Sequence, residues 1–246
     1  MTNIFILVCS NRKLGTNEVF SKYVLDILNE KFQNEKQKVN IVYKYISDYD
    51  INVCLGCQRC FTTGMCILKD DQTVFIDDIK WADVIVFSVP VYINNIPGNF
   101  KVLLDRIAYL NHRMPFLGKS GILLTTSSNS GIEMVEGYME MIYSYLGISL
   151  DLKLSCLDKK IELKENDCEN ISNYIKLFLK NKLEIPDMLK NVFNYYHKHF
   201  SRYKFQHVDD SEVQYWKNEY LMYDSINEVL YFKRKNKKED KYERRN

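Results

Sequence analysis

Short apolar runs alternate with longer amphipathic segments over most of the chain. A continuous apolar run predicts a strand buried on both faces, as in a parallel sheet, whereas apolar residues at intervals of three and four predict a helix. On this basis five strands are predicted, at 4–9, 38–46, 84–89, 121–126 and 150–154. Four helices are predicted between them, at 18–33, 71–82, 99–109 and 132–146. This alternation indicates a doubly wound parallel sheet of the α/β class.

The alternation of strands and helices ends near residue 165, so the first predicted unit is 1–165. Segment 166–232 has a helical pattern and many tyrosines, which suit half-exposed contact surfaces. We predict a helical C-terminal extension that packs on the sheet or on a second subunit, and a lid over a substrate is the alternative. Segment 233–246 has eight lysines and arginines against three acidic residues, and is predicted to be a disordered basic tail.

The overall charge and the apolar pattern argue against several classes of protein. The formal net charge is only +2, which is too small to indicate nucleic-acid binding. No apolar stretch approaches the roughly 18 residues of a membrane span, and the run at 4–9 is too short for a signal peptide. We therefore expect a cytoplasmic protein that binds neither nucleic acid nor membranes. In such a protein the seven cysteines are not expected to form disulfides.

Three polar loops follow predicted strands, at 10–17, 90–98 and 126–131. Ligands of open parallel sheets bind at the carboxyl ends of the strands, so these loops form the candidate site. The first loop leads into a helix N-terminus, where unbonded N–H groups and the positive dipole end favour a phosphate. A turn that only caps the helix is the alternative. Neither G-x-G-x-x-G nor G-x-x-x-x-G-K-[ST] is present, so a dinucleotide site and a P-loop are unsupported.

Three segments resemble a known family. The loop SNRKLGTN at 10–17 resembles the phosphate loop of NADPH-dependent FMN reductases and flavodoxin-like quinone reductases. ADVIVFSVPVY at 82–92 and NFKVLLDR at 99–106 are similar to that family's second flavin segment and its following helix. The resemblance covers about residues 3–150 and implies a flavodoxin-like sheet that binds FMN, with NAD(P)H as a transient electron donor. It also implies a homodimer or homotetramer, in which a neighbouring subunit completes the flavin edge.

The same resemblance implies roles for individual residues. The FMN phosphate would be bound by Ser10, Arg12, Thr16 and Asn17. The flavin ring would be contacted by Pro90, Val91, Tyr92, Ile93 and Asn94, and on its other side by Thr126 and Ser127. The order Gly15-Thr16-Asn17 departs from the family's usual small-Asn-Thr. The glycines common after Pro-x-Tyr are replaced by Asn94-Asn95, and asparagine tolerates the positive φ that such a turn requires.

The most distinctive motif is a run of four cysteines spaced C-x2-C-x2-C-x5-C, namely Cys54, Cys57, Cys60 and Cys66. Cysteines at intervals of three let one loop wrap around an iron–sulfur cube, and the two glycines of the loop permit the turns. Zinc sites more often use two distant pairs. The spacing resembles that of the iron–sulfur flavoproteins and implies a 4Fe-4S cluster near FMN. Free or redox-active thiols and zinc are the alternatives.

No catalytic side chain is predicted, because the cofactor carries the chemistry. Asp70 and Asp71 are predicted to cap the helix that follows them. The predicted function is an FMN-dependent oxidoreductase or electron-transfer flavoprotein with a small-molecule or protein redox partner. The alternatives are a cluster-free reductase of quinone-like or other organic acceptors, a non-enzymatic electron carrier, and a flavodoxin-like shell used only for assembly.

Overall fold

The computed structural model describes residues 1–157, 161, 163, 166–208 and 210–243, with side chains as far as residue 235. Its strands are β1 (Thr2–Val8), β2 (Val39–Tyr45), β3 (Val84–Pro90), β4 (Lys119–Ser127) and β5 (Ile148–Leu157). Its helices are α1 (Thr16–Asn34), α2 (Arg59–Thr63), α3 (Gln72–Trp81), α4 (Gly98–Arg106), α5 (Ile132–Leu146), α6 (Asp167–Leu179), α7 (Asp187–Ser201), α8 (Ser211–Glu219) and α9 (Ile226–Glu243).

The sheet has the strand order β2-β1-β3-β4-β5, and every neighbouring pair is parallel. This is the flavodoxin-like order, in which the chain switches direction across the sheet between β1 and β3. The predicted doubly wound five-stranded sheet is therefore confirmed. The five predicted strands and four predicted helices all occur, with ends displaced by three residues or fewer.

Helices cover both faces of the sheet because β1, β3 and β4 are apolar on both sides. On one face, Phe20 and Phe32 of α1 pack with Ile175 of α6 against the strands. On the other face, Phe75 of α3 and Phe100 of α4 belong to a second core. Helix α6 of the extension thus completes one layer of the sheet.

The rest of the extension has a core of its own around Trp216, which packs with Phe193 and Phe200 of α7. This core also takes in Met114 and Leu117, from the connection that precedes β4. The described extension therefore packs on its own chain, whereas its role as a contact surface or as a lid stays a prediction.

Two features differ from the sequence-based prediction. The short helix α2 lies inside the cysteine loop, where no helix was predicted. Helix α9 continues past Lys233, where a disordered tail was predicted, and ends at Glu243; residues 244–246 lie outside the described range. The division of the chain at residue 165 stays a prediction. Among the described residues, no helix is both long and apolar enough to cross a bilayer.

Candidate functional site

The three polar loops leave the carboxyl ends of β1, β3 and β4, which lie side by side in the sheet. In a doubly wound sheet, a crevice opens where the strand order reverses, here between β1 and β3. The loops at 10–15 and 91–97 flank this crevice, and the loop at 128–131 lies beside the second of them. The topology therefore brings the predicted phosphate and ring segments to one edge of the molecule.

The first loop is organised by its own polar groups. The Arg12 N–H donates to Ser10 Oγ at 3.1 Å, and Ser10 is almost fully buried. The exposed Arg12 side chain lies across Gly15, where an added Cβ would come within 3.3 Å of Arg12 Cδ. Helix α1 begins directly after Gly15, so the Arg12 side chain lies beside a helix N-terminus. This arrangement favours the binding of an anion.

Glu18 is a buried residue of this loop region that the sequence interpretation missed. Its carboxylate accepts the Leu14 N–H at 2.7 Å and pairs with Lys22 at 2.6 Å. Burial on its own would raise the pKa of Glu18, but hydrogen bonds from Lys22 and Tyr45 outweigh it and lower the pKa to about 2. Glu18 therefore stays charged and fixes the end of the loop. The only signal in the sequence was its i, i+4 spacing from Lys22.

The second loop contains a tight turn beside the half-exposed Tyr92. The Tyr92 N–H donates to Asn95 O at 2.7 Å, and the Asn95 N–H returns a bond to Tyr92 O at 3.0 Å. The two residues between them, Ile93 and Asn94, have φ values of +50° and +55°. The predicted turn therefore exists, but one residue earlier than Asn94-Asn95. Positive φ is costly for a β-branched residue, and Ile93 is also fully exposed.

The third loop contacts the other two. Thr126 Oγ1 accepts from Asn17 Nδ2 at 3.3 Å, and Thr126 O accepts from the Val91 N–H at 2.8 Å. Ser127 instead bonds within its own loop, with its hydroxyl donating to Ser130 O at 2.6 Å. A Cβ added to Gly131 would lie only 2.5 Å from Asn94 Oδ1. Only glycine therefore permits this close approach of the second and third loops.

These contacts hold the predicted flavin residues together at one edge of the sheet. The first loop is also joined to the start of α4, just after the second loop, by a hydrogen bond from Asn99 Nδ2 to Asn11 Oδ1 at 2.5 Å. Asn17 Oδ1 is buried and has no hydrogen-bond partner among the described residues. Buried acceptors are rarely left unpaired, and the ribityl hydroxyls of FMN are suitable donors. A helix N-terminus beside a cation, a buried acceptor and a half-exposed aromatic ring fit the phosphate, ribityl chain and ring of FMN.

The four cysteines of the loop line one small cavity of about 100 Å³, together with Arg106. All four are free thiols; Cys54 and Cys57 are exposed, whereas Cys60 and Cys66 are half-buried. Burial and the neighbouring Cys66 raise the pKa of the Cys60 thiol. In the described part of the chain, no three metal-ligating side chains stand close enough together to hold a single ion.

Arg106 is the buried cation of this cavity. Its guanidinium pairs with both oxygens of Asp70, at 2.5 and 3.1 Å, and it donates to Asn52 O at 2.7 Å. Its Nη2 also donates to Cys66 Sγ at 3.3 Å. Burial alone would raise the pKa of Asp70, but the hydrogen bonds from Arg106, Asn52 and Gln72 together outweigh it and lower the pKa to about 2.

The predicted capping by the two aspartates is largely wrong. Asp71 occupies the N-cap position of α3, but its side chain makes no cap bond and accepts the Asp50 N–H at 2.8 Å. Asp70 accepts the Gln72 N–H at a longer 3.2 Å, while its main partner is Arg106. The two carboxylates therefore join the two ends of the cysteine loop, because Asp71 accepts the Asp50 N–H and Asp70 accepts the Asn52 N–H.

The C-terminal extension also reaches the cysteine loop. Ser211, at the start of α8, donates to Phe61 O of α2 at 2.6 Å. Arg113 Nη2 donates to Ser211 Oγ at 2.7 Å. Glu212 accepts from His112, whose ring lies 5.4 Å from that of Phe61. The described extension therefore supports the cysteine loop, a role that its tyrosine content did not indicate.

The sheet order and the cleft at its carboxyl edge define a flavodoxin-like α/β protein. Residues 2–150 match the sequence profile of the family described as NADPH-dependent FMN reductase. The chain belongs to this family of FMN-containing oxidoreductases.

Two curated relatives are named iron–sulfur flavoproteins. One, from Archaeoglobus fulgidus, is 30% identical over 140 residues, which are 56% of this chain and 61% of the relative. The other, from Clostridioides difficile, is 27% identical over 196 residues, which are 77% of this chain and 86% of the relative. The chain thus spans under two thirds of the length of the first of these relatives.

Among solved structures, RosB with bound 8-demethyl-8-formylriboflavin-5'-phosphate has a TM-score of 0.56 at 13% identity, over 80% of this chain and 88% of RosB. NADH:FMN oxidoreductase in its apo form has a TM-score of 0.52 at 14% identity, over 76% of this chain and 92% of that protein. At these identities the likeness shows a common fold.

Proposed function

We propose that this protein is an FMN-dependent oxidoreductase, linked to NAD(P)H, that passes electrons to a small-molecule or protein partner. The observation that carries the proposal is the convergence of the three loops, joined by the Asn17–Thr126 and Asn99–Asn11 hydrogen bonds. The donor is inferred from the family to which the chain belongs. A small-molecule or protein acceptor is inferred from the exposure of Tyr92 and Ile93, which leaves this edge accessible.

The residues of the first loop would bind the FMN phosphate. Ser10 shapes the turn, while Arg12, Thr16 and Asn17 lie at the N-terminus of α1. The second and third loops, which lie side by side, would both contact the ring through Pro90, Val91, Tyr92, Ile93, Asn94, Thr126 and Ser127.

Bound FMN supplies hydride and one-electron chemistry. The Tyr92 N–H is already used by Asn95 O, and the Val91 N–H is used by Thr126 O. The N–H groups of Ile93 and Asn94 are the donors that the turn leaves for the polar edge of the ring. The positive φ values of Ile93 and Asn94 place both N–H groups in one tight turn. Binding of the ring by these groups would explain why the strained backbone of Ile93 is retained.

We propose further that Cys54, Cys57, Cys60 and Cys66 hold a 4Fe-4S cluster. The shared cavity, the buried cation beside it and the names of the curated relatives support this assignment. Such a cluster would supply one-electron transfer next to the flavin cleft. The remaining alternative is a loop of free or redox-active thiols, since none of the four cysteines forms a disulfide among the described residues.

Anaerobic purification tests both cofactors. The expected result is an absorbance spectrum with flavin bands and a broad shoulder near 400 nm (roughly where thiolate-to-iron charge transfer absorbs), together with about four irons per chain. Cys57→Ala should lose the iron and keep the flavin. Cys168→Ala is the matched control, because Cys168 is an exposed free cysteine outside the loop, and it should keep both.

Other outcomes distinguish the alternatives. A flavin spectrum without iron would leave a cluster-free reductase, and turnover of quinone-like acceptors with NADPH would then identify it. Retained flavin with no NAD(P)H oxidation would indicate an electron carrier. No retained flavin would contradict the proposal and favour an assembly role.

We also propose a homodimer or homotetramer in the cytoplasm. The exposed Ile93 and Leu14 beside the cleft support self-association, because large apolar side chains at a cleft rim favour a covered surface. Free thiols suit a reducing compartment. Sedimentation should give two or four times the 29.3 kDa mass of the chain, and a monomer at micromolar concentration would contradict the association.

A further inference from the structure

A guanidinium has five N–H donors, and in Arg106 the four on Nη1 and Nη2 have identifiable acceptors. Nη1 donates to Asp70 Oδ2 and Asn52 O, and Nη2 donates to Asp70 Oδ1 and Cys66 Sγ. The fifth donor, Nε, is buried and has no partner among the described residues. The Arg106 side chain itself is fully buried, at 0% exposure. Arg106, which lines the cysteine cavity, thus directs one bond at a thiol and has a second donor that is buried without a partner among the described residues.

Such a residue is expensive to maintain for stability alone. Burying an ion pair generally costs as much as its attraction returns, and an unpaired buried donor adds a further penalty. The pair with Asp70 neutralises the charge but does not explain the bond to sulfur. A sulfur-rich anionic group in the cavity would explain both, since it accepts N–H bonds and benefits from a nearby cation.

The position of Arg106 in the fold is consistent with this role. It is the last residue of α4, and helical side chains lean toward the N-terminus of their helix. The Arg106 guanidinium therefore reaches back toward the carboxyl edge of the sheet, where the cysteine loop lies. The first turn of the same helix contacts the flavin cleft through Asn99. One short helix thus contacts both proposed cofactor sites.

We propose that Arg106 is a positioning residue that raises the reduction potential of the 4Fe-4S cluster, by donating a hydrogen bond to the Cys66 sulfur and by placing a buried positive charge beside it. This inference rests on the proposed function, which supplies the cluster. One-electron reduction adds one negative charge to the cluster, and a cation with N–H···S bonds stabilises that reduced state more than the oxidised state. Asp70 opposes this effect, because its carboxylate neutralises the guanidinium.

Substitutions of Arg106 and of Asp70 should therefore shift the reduction potential of the cluster in opposite directions. Arg106→Gln removes the cation and leaves Asp70 charged, so the potential should fall. Asp70→Asn removes the carboxylate and leaves the cation, so the potential should rise. A merely structural role would not move the two variants in opposite directions. Arg106→Lys keeps the charge but loses the fork that reaches both Asp70 and Cys66, so its potential should lie between those of Arg106→Gln and the unchanged chain.

The test is an anaerobic redox titration of the holoprotein with dithionite as the reductant, followed by the electron paramagnetic resonance of the reduced cluster. Arg106→Gln should change the equilibrium constant for one-electron reduction by at least tenfold, which is 59 mV. Lys44→Gln is the matched control, because Lys44 is also a partly buried cation in a long-range ion pair, but it donates to Asp78 of α3 and does not line the cysteine cavity. The Lys44→Gln potential should match that of the unsubstituted protein.

Iron content tests whether the cluster is present, and the reduction potential tests whether Arg106 acts on it. An unchanged chain that binds no iron under strict anaerobiosis would overturn the proposed cluster, and this assignment with it. A loaded chain in which Arg106→Gln and Asp70→Asn leave the potential unchanged, or shift it in the same direction, would overturn the role of Arg106 alone. If Arg106→Gln does not fold, the rise expected for Asp70→Asn and the intermediate value for Arg106→Lys still decide the question.

Discussion

The flavin cleft and the cysteine loop occupy the same edge of the sheet but are held in different ways. The three loops of the cleft are bound to one another, through Asn17–Thr126 and through the approach of Gly131 to Asn94. The cysteine loop is instead held from outside, by Arg106 of α4 and by Ser211 of α8. The cleft therefore depends on the part of the chain that matches the family, 2–150, whereas the loop also depends on the extension.

The two regions also use buried charge differently. Glu18 ends the first loop as a buried anion whose nearest cation, Lys22, is one turn away and half-exposed. Arg106 is a buried cation whose partner, Asp70, is 36 positions distant in the sequence. A local pair can stiffen one loop, whereas a long-range pair joins separate elements. Loss of the long-range pair should therefore have the larger effect on stability.

The largest expected effect is that of Asp70→Ala. It leaves the Arg106 charge buried and uncompensated, which typically costs about 3–5 kcal/mol of unfolding free energy. Asp105→Ala is the matched control. Asp105 pairs with Lys101 within helix α4, and both side chains are about half exposed. The control should cost less than ~1 kcal/mol. Urea unfolding measures both, and equal losses would contradict the distinction between the two pairs.

Glu18→Gln should have the next largest effect. Its carboxylate has a pKa of about 2 in the fold against an ordinary value of 4.5, so its stabilisation is present above pH 4.5 and is lost as the pH falls toward 2. Glu18→Gln should lower the unfolding free energy at pH 7 by about 1–3 kcal/mol. It should also flatten the decline of stability below pH 4.5. An unchanged slope in acid would show that other carboxylates carry that decline.

Gly131→Ala tests the contact between the second and third loops. The new Cβ would meet Asn94 Oδ1 at 2.5 Å, and Gly131 has a φ of +86°. The strain is about 1–2 kcal/mol, and we expect FMN affinity to fall by on the order of tenfold as the loops separate. Gly137→Ala is the matched control, since no atom lies within 4 Å of its added Cβ on helix α5. It should keep full affinity and gain up to ~1 kcal/mol of stability.

Ser211→Ala should have the smallest effect on stability, about 1 kcal/mol. It removes the hydroxyl that joins Arg113 to Phe61 O, so the short helix α2 should open more often. Faster hydrogen exchange in α2 measures this opening. Ser172→Ala is the control, because its hydroxyl bonds only within α6 and does not reach the cysteine loop. Equal exchange in both variants would show that the extension does not support the loop.

Much of the fold was predictable because its signals are local. The apolar runs of β1 and β3 and the helical spacing of α1 and α5 appear within single segments. The position of the candidate site followed from the polar loops at the carboxyl ends of the predicted strands. The positive φ of Ile93 was not predictable, because intrinsic preference disfavours it and the surrounding turn imposes it.

The buried contacts of the cysteine loop were not predictable for a different reason. The Arg106–Asp70 pair and the Ser211–Phe61 bond join residues 36 and 150 positions apart, and no local pattern specifies them. Arg106 appeared in the sequence only as part of a segment resembling the family's helix. Its role depends on which loop the end of α4 reaches, which is a property of the tertiary structure.

The central claim is that three loops converge on one phosphorylated flavin. Titration of the flavin-free protein with FMN and with riboflavin, followed by flavin fluorescence, tests it most directly, because the two ligands differ only in the phosphate. We expect saturable binding of one FMN per chain, with an affinity at least tenfold higher than that for riboflavin. Arg12→Ala should reduce the difference between the two affinities. Equal affinity for the two ligands, or no binding of either, would contradict the assignment.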